Sequence, residues 1–131
     1  MNSPADTQYL IIDDNEIDQL VTGKLLRTKL GATRIQVFNN GKEGLDWMMG
    51  NADPNLAIVV FLDIKMPMMN GFEFMDRFKK LSENIKSRSR IFMLSSTLDP
   101  EEIERAIRYE HVDTILEKPL SIDQLSNLTS N

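Results

Sequence analysis

Residues 57–63 read Ala57-Ile58-Val59-Val60-Phe61-Leu62-Asp63, an unbroken apolar run that ends in a carboxylate. A strand with water on one face alternates apolar and polar side chains. A run that is apolar at every position is covered on both faces, which puts it in the middle of a parallel sheet with helices above and below. Leu10-Ile11-Ile12, followed by Asp13-Asp14, has the same character. Two central strands that both end in acid raise the question of what else lies at the strand ends.

Outward from these two runs, strands are expected at Tyr9 to Asp13, Arg34 to Phe38, Ala57 to Asp63, Arg90 to Ser95 and Val112 to Lys118, with helical spacing between them. In the first helix, Ile17, Leu20, Val21 and Leu25, with the aliphatic stem of Lys24, form the expected buried face. Phe72, Met75, Phe78 and Leu81 repeat in the third, and Ile103, Ala106 and Ile107 in the fourth. Asp99, Pro100 and Glu102 read as an N-cap, a first-position proline and the partner of a capping box. Ser121 and Gln124 make a second box. The second helix is expected over Gly41 to Met49, weakened by Gly44 and ended by Gly50.

Strand and helix alternate throughout, which means parallel strands joined by helical crossovers. Arg34-Ile35-Gln36-Val37 alternates and Val112-Asp113-Thr114-Ile115 is mixed, so these two are edge strands. The order 2-1-3-4-5 satisfies all of this: an α/β, flavodoxin-like doubly wound sandwich of five parallel strands with helices on both faces. No linker divides the chain, so residues 1–131 form one domain, with 1–7 as a disordered start.

The bulk numbers agree with a globular domain: 131 residues, 41% hydrophobic and 27% charged. A net charge of −5 argues against nucleic acid as a partner, because phosphate backbones need clustered basic residues. The one basic run, Lys86 to Arg90, is read as a solvated loop. The absence of cysteine excludes disulfides, thiolate metal sites and thiol nucleophiles. No apolar run reaches the length of a membrane span and Met1 to Gln8 is no signal peptide, so no membrane association and a cytoplasmic location are expected.

In such a sheet the active crevice lies beyond the carboxyl ends of the strands. There stand Asp13-Asp14, Asp63, Ser95-Ser96-Thr97 and Lys118-Pro119, on four strands that the proposed order makes neighbours. Three carboxylates in one pocket do not all stay ionised without a cation. Hard oxygen ligands suit Mg²⁺. Alone, Asp14 or Asn15 reads as a helix cap; together the three acids read as a metal site. A metal, an ammonium (Lys118) and a hydroxyl (Ser95) around one carboxylate stabilise a transferring phosphoryl group, and that carboxylate can itself be the nucleophile.

The chain resembles a response-regulator receiver domain of the stand-alone, chemotaxis-regulator type over nearly its whole length. The resemblance is carried by Leu10 to Asn15, by Asp63-Ile64-Lys65-Met66-Pro67 with Asn70-Gly71, by Met93-Leu94-Ser95-Ser96 and by Glu117-Lys118-Pro119. It implies that Asp63 is the phosphoacceptor and Asp14 the direct Mg²⁺ ligand. Asp13 would act on the metal through water, and the Lys65 backbone carbonyl would be the third protein ligand. Ser95 is implied as the switch hydroxyl, and Lys118 as the phosphate-pairing lysine before a proline whose peptide is often cis. Lys65 and Thr97 match the positions that flank the path of hydrolytic water. The implied partners are a histidine kinase or histidine phosphotransfer protein upstream, and a protein target on the face of the fourth helix, fifth strand and last helix.

The sequence departs from the family pattern in three places. Ile115 stands where a switch aromatic is usual, which puts the ordinary coupling to Ser95 in doubt. His111-Val112 replaces a small pair, and His111 is expected as a helix C-terminal residue. The last helix has only Ser121 to Asn131. Trp47 and the cluster Met66, Met68, Met69, Phe72, Phe74 and Met75 are read as packing, with an exposed Met68 or Met69 as a docking alternative. An aspartate-nucleophile phosphohydrolase is the main rival; it would place a second Asp two residues after the first, where this chain has Asn15 or Glu16. A flavin carrier fits an acidic pocket poorly.

Overall fold

The computed structural model describes residues 6–129. Five strands, β1 (Thr7–Ile12), β2 (Ile35–Phe38), β3 (Ala57–Asp63), β4 (Ser89–Ser95) and β5 (Val112–Glu117), pair in parallel in the order β2-β1-β3-β4-β5. The helices are α1 (Glu16–Leu30), α2 (Gly41–Asn51), α3 (Gly71–Phe78), α4 (Glu83–Ser87), α5 (Pro100–Ala106) and α6 (Ile122–Thr129).

The period of two along each strand divides the core into two layers. Leu10, Ile12, Val60 and Leu62 face α2 and α3 through Met48, Phe74 and Phe78, and Ala106 of α5 joins them. Tyr9, Ile11, Val59 and Phe61 face the other way, onto Leu26 of α1 and Leu125 of α6. Double coverage is why β1 and β3 are apolar at nearly every position. Trp47 packs against Phe38, as expected of a helix-two packing residue.

Several local expectations are corrected. β1 begins at Thr7, which is fully buried, so an unstructured start does not extend that far; residues 1–5 lie outside the described residues. In α1 the buried residues are Thr22, Gly23 and Leu26, while Ile17 and Leu20 are 71% and 64% exposed. The helix lies close to the sheet and turns Thr22 and Gly23 inward beside Leu26, with Leu25 and Leu30 at the margin of the core, so Ile17 and Leu20 are left outside. α2 runs through Gly50 to Asn51. Gly44 suits that helix because a Cβ there would lie 2.6 Å from Ile12 Cδ1.

Lys86 to Arg90 is not a loop. It holds the end of the unanticipated α4 and the start of β4, with Arg88 donating to the carbonyls of Asp53 and Leu56. Ile107 follows the end of α5 and is exposed, so it leaves the expected stripe. His111 lies in the turn before β5 rather than at a helix end, with its ring edge-on to Phe78. No helix among the described residues is long and apolar enough to cross a membrane.

Candidate functional site

The parallel register brings the strand ends together. Ile12 pairs with Leu62, Asp63 with Leu94, and Ser95 with Glu117. The residues that end β1, β3, β4 and β5 therefore meet at one edge of the sheet. Asp13 is fully buried, Asp63 is 5% exposed, and Asp14 stands in solvent at the mouth. Carboxylate oxygens of Asp13, Asp14 and Asp63 all lie within 4.8 Å of one another.

Lys118 enters from the end of β5, its backbone N–H bonded to the Ser95 carbonyl and its peptide to Pro119 cis. Its Nζ lies 3.1 Å from Asp13 Oδ2, 3.3 Å from Asp63 Oδ2 and 2.7 Å from Asp18 Oδ2. Asp18 went unrecognised in the sequence. It sits in the first turn of α1, where an acid reads simply as favourable to the helix dipole, and its backbone N–H donates to the N-cap Asn15. Only its spacing of one helical turn from Asp14 hinted that it shares the pocket.

Charge crowding sets the protonation pattern. Burial, then the charge of Asp13, pushes the Asp63 carboxyl up to about 7, against the opposing pull of Lys118 and the Lys65 N–H. Burial likewise raises Asp13, opposed by the Asn15 N–H and by Lys118. Burial alone would lower the Lys118 ammonium; Asp18, Asp63 and Asp13 outweigh it and hold that pKa above the usual lysine range. Asp63 Oδ1 accepts from the Lys65 N–H at 3.2 Å, and Asp13 Oδ1 from the Asn15 N–H at 2.8 Å. Asp13 Oδ2 has the ammonium beside it but no directed hydrogen bond.

The Ser95 hydroxyl, buried at the end of β4, is engaged elsewhere. It donates to Glu102 Oε1 at 2.7 Å and accepts from the N–H groups of Thr97 and Leu98 at 3.1 and 3.0 Å. Glu102 therefore does not close the capping box expected with Asp99, whose side chain caps Glu101 instead. The box of Ser121 and Gln124 does form in both directions. Met66, Met69, Phe72, Phe74 and Met75 are buried, whereas Met68 is 92% exposed at the loop tip, with φ of 68°.

The profile of the response regulator receiver domain matches residues 9–130. Among solved structures, a response regulator receiver protein from Dyadobacter fermentans is 33% identical. That match covers 93% of this chain and 94% of the other, with a TM-score of 0.81. The rice (Oryza sativa subsp. japonica) two-component response regulator ORR11 is 28% identical, over 96% of this chain and 80% of its own length. The Arabidopsis thaliana histidine kinase CKI1 is 28% identical over 97% of this chain, which spans only 12% of that protein. A buried acidic pocket crossed by one lysine at the carboxyl edge of this sheet, and a matching profile over nearly the whole chain, lead to one conclusion: the chain belongs to the response regulator receiver domain family, the phosphoacceptor modules of two-component signalling.

Proposed function

We propose that Asp63 is the residue that receives the phosphoryl group, from a histidine kinase or histidine phosphotransfer protein. The observation that carries this reading is the position of Lys118, whose ammonium lies 3.1 and 3.3 Å from the inner carboxylates of Asp13 and Asp63. An Asp63 oxygen attacks phosphorus, the bond from phosphorus to the donor breaks, and the donor leaves with the electron pair. Lys118, already poised over that carboxylate, balances charge on the phosphoryl oxygens. The protein assists its own phosphorylation and dephosphorylation and turns over no separate substrate. Lys65, exposed on the loop after Asp63, and Thr97 are placed by sequence to influence the lifetime of the adduct.

The residues present fit a divalent cation. Three acids converge, and Asp13 Oδ2 lacks a directed hydrogen bond, as expected of an oxygen left for a hard cation or its water. Asp13, Asp14, Asp63 and the Lys65 backbone carbonyl would hold Mg²⁺. The cation would supply Lewis-acid neutralisation of charge on the transferring group.

The donor protein docks on the mouth side. There Ile17 and Leu20 stand exposed on α1, the helix that starts directly after Asp14, and the exposed Met68 tips the loop after Asp63. Output goes by protein contact through the face of α5, β5 and α6, and the setting is the cytoplasm.

Incubation with acetyl phosphate and Mg²⁺, read by intact mass, tests the reading. One added phosphoryl group is expected on the parent, and none on Asp63→Asn or in the presence of a chelator. Steady release of inorganic phosphate with no adduct at any time would instead establish the phosphohydrolase reading.

A further inference from the structure

A receiver's switch hydroxyl has one proton to give, and in this chain it is already given. A carboxylate can only accept, so the 2.7 Å contact from Ser95 Oγ to Glu102 Oε1 fixes the direction of that bond. The lone pairs of the same oxygen are taken by the N–H groups of Thr97 and Leu98. The loop after β4 is thus wound around Ser95 Oγ, with Leu98 at φ 49°, a left-handed conformation unfavourable for a leucine. Glu102 belongs to α5, so this knot ties the phosphorylation site to that helix.

We infer that Glu102 is a positioning residue that holds the Ser95 hydroxyl off the phosphoacceptor, and that phosphorylation redirects the Ser95 O–H from Glu102 to a phosphoryl oxygen, the proton staying on Ser95. The inference rests on the proposed role of Asp63 and goes beyond it. Ser95 cannot donate to both acceptors, so every phosphorylated molecule that uses its switch hydroxyl gives up the Glu102 contact. The exchange leaves no orphan, because the Thr97 hydroxyl already lies 3.2 Å from the same Glu102 oxygen and stays there. The unlatched carboxylate shares a cleft with Arg105, one turn further along α5, whose guanidinium lies over the Phe72 ring of α3 at 4.3 Å. The change is therefore delivered to α5. Position 115 carries an isoleucine packed against the core, which has no polar group with which to follow Ser95. Glu102 supplies the polar link to the output helix that Ile115 does not.

The test is a comparison of acetyl phosphate labelling rates at fixed Mg²⁺ for the parent, Glu102→Ala, Glu102→Gln, Ser95→Ala and the double variant Ser95→Ala/Glu102→Ala. Freed of its latch, Glu102→Ala gains roughly threefold to tenfold, the scale of one net hydrogen bond. Glu102→Gln keeps an acceptor for Ser95 and gains less. In the Ser95→Ala background the Glu102→Ala change has no effect. Equal gains for Gln and Ala, or a gain that survives in Ser95→Ala, would show that Glu102 acts by repelling the anionic donor, and would overturn the inference. An unchanged rate in Glu102→Ala overturns it as well. The parent is the control for the site: a labelled parent with an inert Glu102 sinks the latch alone, whereas an unlabelled parent sinks the assignment of Asp63. Glu102 is a half-buried residue in the first turn of a helix that Ala favours, so the variant folds, and a melting curve checks this.

Discussion

At the scale of single residues, the site is a problem of too many acids. Asp13, Asp18 and Asp63 crowd one ammonium, with Asp14 at the mouth, and burial together with the charge of Asp13 pushes the Asp63 carboxyl up when no cation is bound. The sign of the consequence follows from linkage. Asp63 titrates near 3.8 when unfolded and is pushed up to about 7 in the fold. Between those values the folded, metal-free protein keeps a proton that the unfolded chain has released, so this group's contribution falls as pH rises through the window and is level above it. In chelator, Asp63→Asn should therefore gain on the parent as pH rises from about 4 to about 7. It should end more stable by about 1–2 kcal/mol, the full linkage value being discounted for water at the pocket mouth. Denaturant melts across that range give the difference; a gap that shrinks with pH would contradict the assignment. The sequence showed Asp13, Asp14, Asp63, Ser95 and Lys118 because strand ends mark them. Asp18 went unread and Glu102 was read as a capping-box partner, since acids in a first turn have a sufficient local explanation that hides a tertiary one.

At the scale of elements, the strands were read well and the helices less so. A doubly buried strand has one reading, whereas a helix face depends on its distance from the sheet. α1 approaches closely and buries Thr22, Gly23 and Leu26, so Ile17 and Leu20 are turned out into solvent. α3 shows the same constraint at a sharper point. Asn70 and Glu73 close a full capping box and start this helix directly behind the loop that follows Asp63. A Cβ on Gly71 would lie 3.0 Å from the Asp63 carbonyl oxygen and 2.9 Å from Met93 Cε. The nearer side chain can yield but the backbone cannot, so Gly71→Ala must displace the loop that aims Asp63. It is expected to cost about 1–3 kcal/mol of stability and to slow labelling by acetyl phosphate. Melting and labelling measured on one preparation check both, and an unchanged labelling rate would mean that the loop absorbs the methyl without moving the carboxylate.

At the scale of the whole molecule, the site is the edge of a sheet and inherits its rigidity. A divalent cation bound there would add stability to the fold as a unit, because the unfolded chain cannot gather Asp13, Asp14 and Asp63. Mg²⁺ at a hundred times its dissociation constant should add about 2.7 kcal/mol to unfolding, with Na⁺ at matched ionic strength as the control. Asp14→Asn should remove most of that gain; a gain that persists in this variant would place the cation elsewhere. The sequence alone determined the architecture, the strand order and the acids and lysine at the strand tips, because burial on both faces and strand-end position are written locally, in runs of neighbouring residues. Only the tertiary structure decided which face of α1 is covered, that Asp18 joins the pocket and that Glu102 binds Ser95. Those outcomes depend on the separation and rotation of packed elements, and two first-turn acids look alike until the fold shows what lies opposite each of them.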